Sequence, residues 1–212
     1  MSSLILEIQA EALDQGSDVS ALLRKALAAS KKLDITDMEE WLDNELGGYG
    51  DVGQLPGYRK LKGIIRCWNP YRGWIPLHMP PEYARSAERL WLVESMAMLV
   101  NATKSKEGMI QYALPVGKSH ALMKAMQVPL EPAMFISVSS IIGVIDTVRT
   151  HVLKWALALE KSGVIGESMS FSLKEVQAAA QINYITNIGV MSSSQLQQGS
   201  TGSQSMALGK SD

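Results

Sequence analysis

The stretch 139–161, SSIIGVIDTVRTHVLKWALALEK, constrains the fold of this chain more than any other. Its apolar residues Ile141, Ile145, Val148, Val152, Trp155 and Leu159 recur at alternating steps of four and three. That spacing aligns them in one stripe along a helix of about six turns. Ser139 or Ser140 offers a cap for its first free amides, and Gly163 stands where a left-handed turn would end it. Ile142, Val144, Leu153, Leu157 and Ala158 lie off the stripe, so the helix is expected to be covered on more than one side. Asp146, Arg149, His151 and Lys154 fall inside it, and charge at bilayer depth is costly. The stretch therefore reads as the spine of a soluble core.

Three shorter helical patterns precede it. Leu4, Ile5, Ile8, Ala12 and Leu13 set the first, which stops at Gly16. Asp18 or Ser20 starts the second, with Leu22, Leu23, Ala26, Leu27 and Leu33 inward and Lys31 and Lys32 suiting the dipole at its end. Thr36 and Glu39 read as a capping box opening the third. Met38, Trp41, Leu42 and Leu46 form its apolar face, and Gly47 and Gly48 close it. Brief connections make these an antiparallel bundle. A helix-turn-helix DNA reader is disfavoured: the third helix shows Asp37, Glu39, Glu40, Asp43 and Glu45 to its surroundings, which would repel phosphate.

Beyond the Gly-rich connection 49–57 the period changes. In 58–68, YRKLKGIIRCW, the odd positions Leu61, Gly63, Ile65 and Cys67 are small or apolar, while Lys60, Lys62 and Arg66 alternate with them. That is a half-buried strand. The composition of 69–73 makes a turn, and 74–79 returns as a second strand, placed at an edge or an end by Pro76. Periodicity then predicts a fourth helix over 82–103, a strand over 109–114, a short helix or irregular segment over 116–126 and a strand over 134–138. After the spine come a loop and a short helix capped by Ser172 with Glu175 at its third position. The fold class is thus α+β: an N-terminal three-helix bundle, a small antiparallel hairpin or sheet, a long central helix and a β-prone C-terminal tail.

A domain boundary is placed near Gln181, giving a globular domain over 1–180 and a low-complexity tail over 181–212. Residues 181–190, QINYITNIGV, are rich in branched side chains and form a candidate strand; the Ser-, Gln- and Gly-rich remainder is too poor in apolar mass to fold alone. Ile182, Tyr184, Ile185 and Ile188 could pair with another chain, and Gln195, Leu196, Gln197 and Gln198 could add amide ladders if copies stack.

A net charge of −1 predicts no global attraction to nucleic acid or acidic lipid, so such binding needs a local patch. The single cysteine excludes an intramolecular disulfide and a cysteine-based zinc site. The N-terminus lacks a signal-peptide pattern and no run is apolar enough for a membrane span, so a soluble cytoplasmic protein is expected, without membrane contact.

Chemistry is sparse. His78, His120 and His151 sit on separate elements without ligand spacing, so no metal and no cofactor are expected. Cys67 has no neighbouring base. Gly117-Lys118-Ser119 lacks the earlier glycine of a phosphate loop. No catalytic residue set emerges, and a non-enzymatic protein is expected; an enzyme with a site around Arg149 and His151 is the alternative that clustered carboxylates would be needed to support. Arg149, at the flank of the spine's stripe, serves either as a structural partner for Asp146 or loop carbonyls, or as a grip for a phosphate or carboxylate. The richest signal is the hairpin. Between Tyr58 and Trp74 lie Arg59, Lys60, Lys62, Arg66 and Arg72 with no acid, interleaved with Trp68 and Tyr71. Cations beside aromatic platforms suit single-stranded nucleic acid; the alternative is a solvated basic face that discourages strand pairing.

Several stretches together resemble one family. Leu22-Leu23-Arg24-Lys25-Ala26-Leu27, then Glu40-Trp41-Leu42 with Glu45-Leu46-Gly48-Tyr49, resemble its N-terminal helices. Leu55-Pro56 with Tyr58-Arg59, and Asn69-Pro70-Tyr71-Arg72-Gly73-Trp74-Ile75-Pro76, resemble its hairpin; Val148-Arg149, Trp155-Ala156-Leu157 and Leu159-Glu160 with Gly163 resemble its long helix. The family is the AbiTii domain of bacterial abortive-infection, phage-defence proteins. The tail run Asn187-Ile188-Gly189 with Ser194-Gln195-Leu196-Gln197-Gln198-Gly199-Ser200 is similar to a short terminal motif of prokaryotic conflict proteins. The resemblance implies antiviral defence in which infected cells stop growing or die. It carries Trp41, Glu45, Tyr49, Pro70, Gly73, Trp74 and Trp155 over as structural signature, with no catalytic set. The expected mode of action is binding and assembly, with a homo-oligomer or a partner protein met through the tail and nucleic acid as the alternative partner.

Overall fold

The computed structural model describes residues 3–80, 83–84, 87–126, 128–167 and 169–181 of the chain. Its architecture is α+β, as the periodicities require. Three helices, α1 (Leu4–Leu13), α2 (Val19–Lys32) and α3 (Thr36–Gly47), form the N-terminal bundle. Strands β1 (Lys60–Lys62), β2 (Ile64–Asn69) and β3 (Gly73–Pro76) follow, then β4 (Arg89–Trp91) and helix α4 (Met96–Ala102). β5 (Met109–Ala113), α5 (Val116–Ala125) and β6 (Pro132–Ser137) lead into the spine, α6 (Val138–Lys161), and a last helix, α7 (Leu173–Ala179).

The spine joins two cores. Ile141 and Val144, near its start, pack into the cluster of Ile65, Leu92, Leu99, Met134 and Ile136 beneath the sheet. Val148, Val152, Trp155 and Leu159, farther along, pack with α1, α2 and α3 through residues such as Ile5, Ile8, Leu22, Leu23 and Met38. The predicted stripe is therefore real and is shared between bundle and sheet. Its first cap is Ser137, whose hydroxyl accepts from the Ser140 amide, rather than Ser139 or Ser140 themselves. Gly163 leaves the helix at φ +77°, the left-handed conformation expected there.

The strands make a four-stranded sheet in the order β3-β2-β6-β5 and a separate two-stranded ribbon, β1 with β4. All pairs are antiparallel. β3, with Pro76 at its end, is an edge strand, where a missing ladder donor costs least. The first strand of the predicted hairpin breaks at Gly63, whose amide bonds the Glu88 carbonyl at 2.8 Å. A Cβ there would stand 3.0 Å from the Phe135 carbonyl and 2.8 Å from Met134 Cγ, so any side chain would have to displace Met134 and crowd the β6 backbone.

Two expectations need correcting. The helix expected over 82–103 is divided: Arg89–Trp91 is strand β4, and helix resumes only at Met96 after Ser95 caps it by accepting from the Met98 amide. Pairing of Lys60 with Trp91 and Lys62 with Arg89 captures that segment, and such a non-local ladder leaves no mark on local periodicity. The capping box at Thr36 is also absent. Asp34 turns the chain at φ 54°, Ile35 takes the cap position without a side-chain bond, and Thr36 is already helical. The box at Ser172 and Glu175 is formed. Residues 182–212, with Ile182, Tyr184, Ile185, Ile188, Gln195, Leu196, Gln197 and Gln198, lie outside the described residues. Among the described residues no helix is long and apolar enough to cross a membrane.

Candidate functional site

The basic hairpin divides into two parts with opposite fates. Arg59 is not at the surface: it is fully buried, which removes it from the candidate anion-binding residues. It ends a 3-10 turn, Gly57–Arg59, just before β1, and its guanidinium points at Glu45 of α3. The Arg59 Nε and Nη2 groups donate to Glu45 at 3.1 and 2.5 Å, and Nη1 donates to the carbonyls of Leu92 and Glu94 at 3.0 and 2.7 Å. Tyr49 and Tyr58 each donate their hydroxyl to Glu45 Oε1 at 2.7 Å, and Trp41 Nε1 donates to the Tyr58 oxygen at 2.8 Å.

Glu45, read from sequence as outward-facing, is fully buried and accepts four of these bonds. The signal for it was present. Met38, Trp41, Leu42 and Glu45 follow the three-and-four spacing of a buried stripe, and Glu45 simply continues it. Burial, and then the Glu45 charge, push the phenols of Tyr49 and Tyr58 far above their ordinary value. Burial works against the Arg59 charge, but its bonds to Glu45 outweigh this and hold its pKa above the usual one. His151 packs against Tyr58 and Trp41, with ring centres 5.4 and 6.1 Å away; burial first, then Lys154, lowers its pKa against an opposing pull from Glu45. A fully bonded buried pair of this kind defines geometry, since its desolvation offsets much of the attraction.

Arg149 is likewise taken up by structure. Its guanidinium, nearly buried, donates to the carbonyls of Glu11, Asp14 and Ser17 and to the Ser17 hydroxyl at 2.6–2.9 Å. It ties the α1–α2 connection to the spine, so the grip on an external anion is not its role. Arg149 and His151 therefore serve different neighbourhoods. Cys67 is buried, and burial pushes its thiol up, away from reactivity. Among the described residues no three of His, Cys, Asp and Glu come together as metal ligands.

Of the remaining hairpin cations, Lys60, Lys62 and Arg72 are exposed and Arg66 is half-buried. Exposure alternates from Lys60 to Trp68, with Ile65 and Cys67 buried and Lys60, Lys62, Ile64 and Trp68 exposed. Register sets Trp68 opposite Trp74 and Ile64 opposite Phe135, so these share the face turned away from the core. Trp68 and Trp74 meet edge to face at 5.4 Å, Trp74 and Phe135 at 5.0 Å, and the Arg66 guanidinium lies 5.1 Å over the Phe135 ring. Trp68 is 45% exposed and Tyr71, at the turn, 96% exposed. The Asn69 side chain holds that turn by accepting from the amides of Tyr71 and Arg72 at 2.9 and 3.1 Å, and Gly73 leaves it at φ +70°. Lys60, Arg66 and Arg72 enter no ion pair among the described residues, and Lys62 meets Glu88 at 3.0 Å. Such a face can stack planar rings while cations hold phosphate.

A family model, AbiTii, matches residues 3–184. The chain belongs to the AbiTii family. No curated protein and no solved structure matches it. Membership indicates a role in abortive infection and phage defence. The residues that carried the resemblance now have places in the fold. Trp41, Glu45 and Tyr49 build the buried junction, Trp74 and Gly73 shape the hairpin beside Pro70, and Trp155 sits wholly inside the helical core.

Proposed function

We propose that this AbiTii chain acts in antiviral defence by binding, and that its hairpin face takes single-stranded nucleic acid. One observation carries the reading. Half-buried Arg66 lies over the Phe135 ring, which continues edge to face through Trp74 to exposed Trp68, and no carboxylate is paired to Arg66 among the described residues. Tyr71 and Arg72 extend the same hairpin into solvent. Base–aromatic stacking contributes roughly 1–3 kcal/mol per base and tolerates any sequence. The account expects binding of a labelled oligonucleotide that weakens steeply with salt, and a shallower salt slope once Arg66 and Arg72 become Gln. Absence of binding at low salt, or binding unchanged in that double variant, overturns it.

The C-terminal tail supports a second element of the same function, oligomerisation or docking. Its support is the branched run QINYITNIGV and the amide-rich SQLQQ that follows. A strand of this composition gains most by pairing with another copy or a partner edge. Molar mass in solution, compared between the full chain and a chain ending at Ala180, tests this. A larger assembly for the full chain is expected, and identical monomers contradict it.

A further inference from the structure

The ribbon formed by β1 and β4 carries an arrangement that helical periodicity concealed. As a strand, Arg89–Trp91 places Arg89 and Trp91 on one face, because alternate residues share a side. Register sets Lys62 opposite Arg89 and Lys60 opposite Trp91, so three cations surround one tryptophan on that face. Trp91 is 46% exposed, a large apolar ring left open to solvent. Lys60 and Arg89 enter no ion pair among the described residues. Lys62 reaches Glu88 at 3.0 Å, and its own side chain is 78% exposed against 20% for Glu88, so the ammonium stays open to water and to a further anion.

Concave space lies beside the tryptophan in two places. One cleft of about 490 Å³ is bounded by Val52, Gly53, Lys60, Leu61, Arg89 and Trp91. A second, of about 520 Å³, shares Val52, Arg89 and Trp91 with the first and reaches Leu114, Pro115 and Lys118. Arg89 and Trp91 thus line both clefts. Each cleft lies within the range of small-ligand sites, roughly 300–1,000 Å³. A planar ring beside cationic side chains, lining two adjoining clefts, is complementary to consecutive nucleotides: flat bases joined by negative phosphates.

We propose that the ribbon is a second contact for single-stranded nucleic acid, with Trp91 stacking a base and Arg89, Lys60 and Lys62 holding the adjoining phosphates. This rests on the nucleic-acid reading of the hairpin and extends it to Arg89 and Trp91, which lie outside that hairpin. The two contacts are neighbours in the chain, since β1 of the ribbon and β2 of the hairpin are separated only by Gly63.

The test is fluorescence anisotropy of the full chain with a labelled twelve-thymidine oligonucleotide, across a salt series. Trp91→Ala is expected to weaken binding by about tenfold or more, whereas Trp91→Phe, which keeps a ring, retains most of it. Arg89→Gln should reduce the salt slope by about 0.7, and it decides the matter should Trp91→Ala fail to fold. On an abasic oligonucleotide of equal length, the Trp91→Ala loss should vanish. Wild-type binding that persists unchanged in Trp91→Ala and Arg89→Gln, but falls in Arg66→Gln with Arg72→Gln, overturns the ribbon contact and leaves the hairpin reading standing. The reverse pattern keeps the ribbon and removes the hairpin. No oligonucleotide binding by the wild type overturns both.

Discussion

Glu45 Oε2 and Arg59 Nη2 stand 2.5 Å apart, and neither side chain is exposed to solvent. One comes from the bundle helix α3 and the other from the turn that opens the ribbon, so this contact fastens helices to strands. Glu45→Gln would leave the Arg59 charge buried without its counter-ion. The expected loss is about 3–5 kcal/mol of unfolding free energy, measured by urea denaturation. A loss below about 1 kcal/mol, the level of a surface pair, would contradict this reading of the junction.

Arg149→Met tests the second buried arginine. Four hydrogen bonds to the α1–α2 connection disappear, three of them to the carbonyls of Glu11, Asp14 and Ser17. Stability should fall by about 2–4 kcal/mol, while oligonucleotide binding by the folded fraction stays as in the wild type. Weakened binding with full stability would restore Arg149 as an anion grip.

Most of the fold was legible because it is written in local spacing. The spine stripe from Ile141 to Leu159, the Asp18 cap and the Ser172–Glu175 box follow from residues within a few turns of each other. What escaped was set by distant partners. Arg89–Trp91 follows helical spacing toward Met96 and Leu99, yet β1 holds it as strand. Glu45 and Arg59 are charges in the sequence and core residues in the fold, because each supplies what the other lacks once water is gone. The site was legible by half. Lys60 and Lys62 are exposed and Arg66 is half-buried on the alternate face that the strand period marked, and Arg72 is exposed in the turn, whereas Trp91 could not be found without the ribbon.

Glu175 gives a prediction in acid. Partial burial opposes its charge, yet the amides of Ser172, Gly166 and Ile165 and the Ser172 hydroxyl donate to it and hold its pKa at about 2, against an ordinary 4.5. A depressed carboxyl pKa stabilises the folded chain above 4.5, and that contribution is lost as pH falls from 4.5 towards 2. The melting temperature of Glu175→Gln should therefore lie below that of the wild type near neutrality, with the gap closing across this window. A gap independent of pH would contradict the assignment.

Gly48→Ala should be costly for two reasons. Gly48 holds φ +94°, and a Cβ would sit 2.8 Å from the Val93 carbonyl that accepts from the Tyr49 amide. A loss of about 1–3 kcal/mol is expected from strain and displacement of that carbonyl. Chemical denaturation that shows an unchanged midpoint would mean the α3 exit is free to move.

Phage plating efficiency is the most direct measure of the central claim, that defence runs through the outward hairpin face. Bacteria producing the wild-type chain would be compared with bacteria producing a triple variant, Trp68→Ala with Arg66→Gln and Arg72→Gln, at matched levels of folded protein. The account expects protection by the wild type and its loss in the variant, in parallel with lost oligonucleotide binding. Full protection by the variant would contradict it.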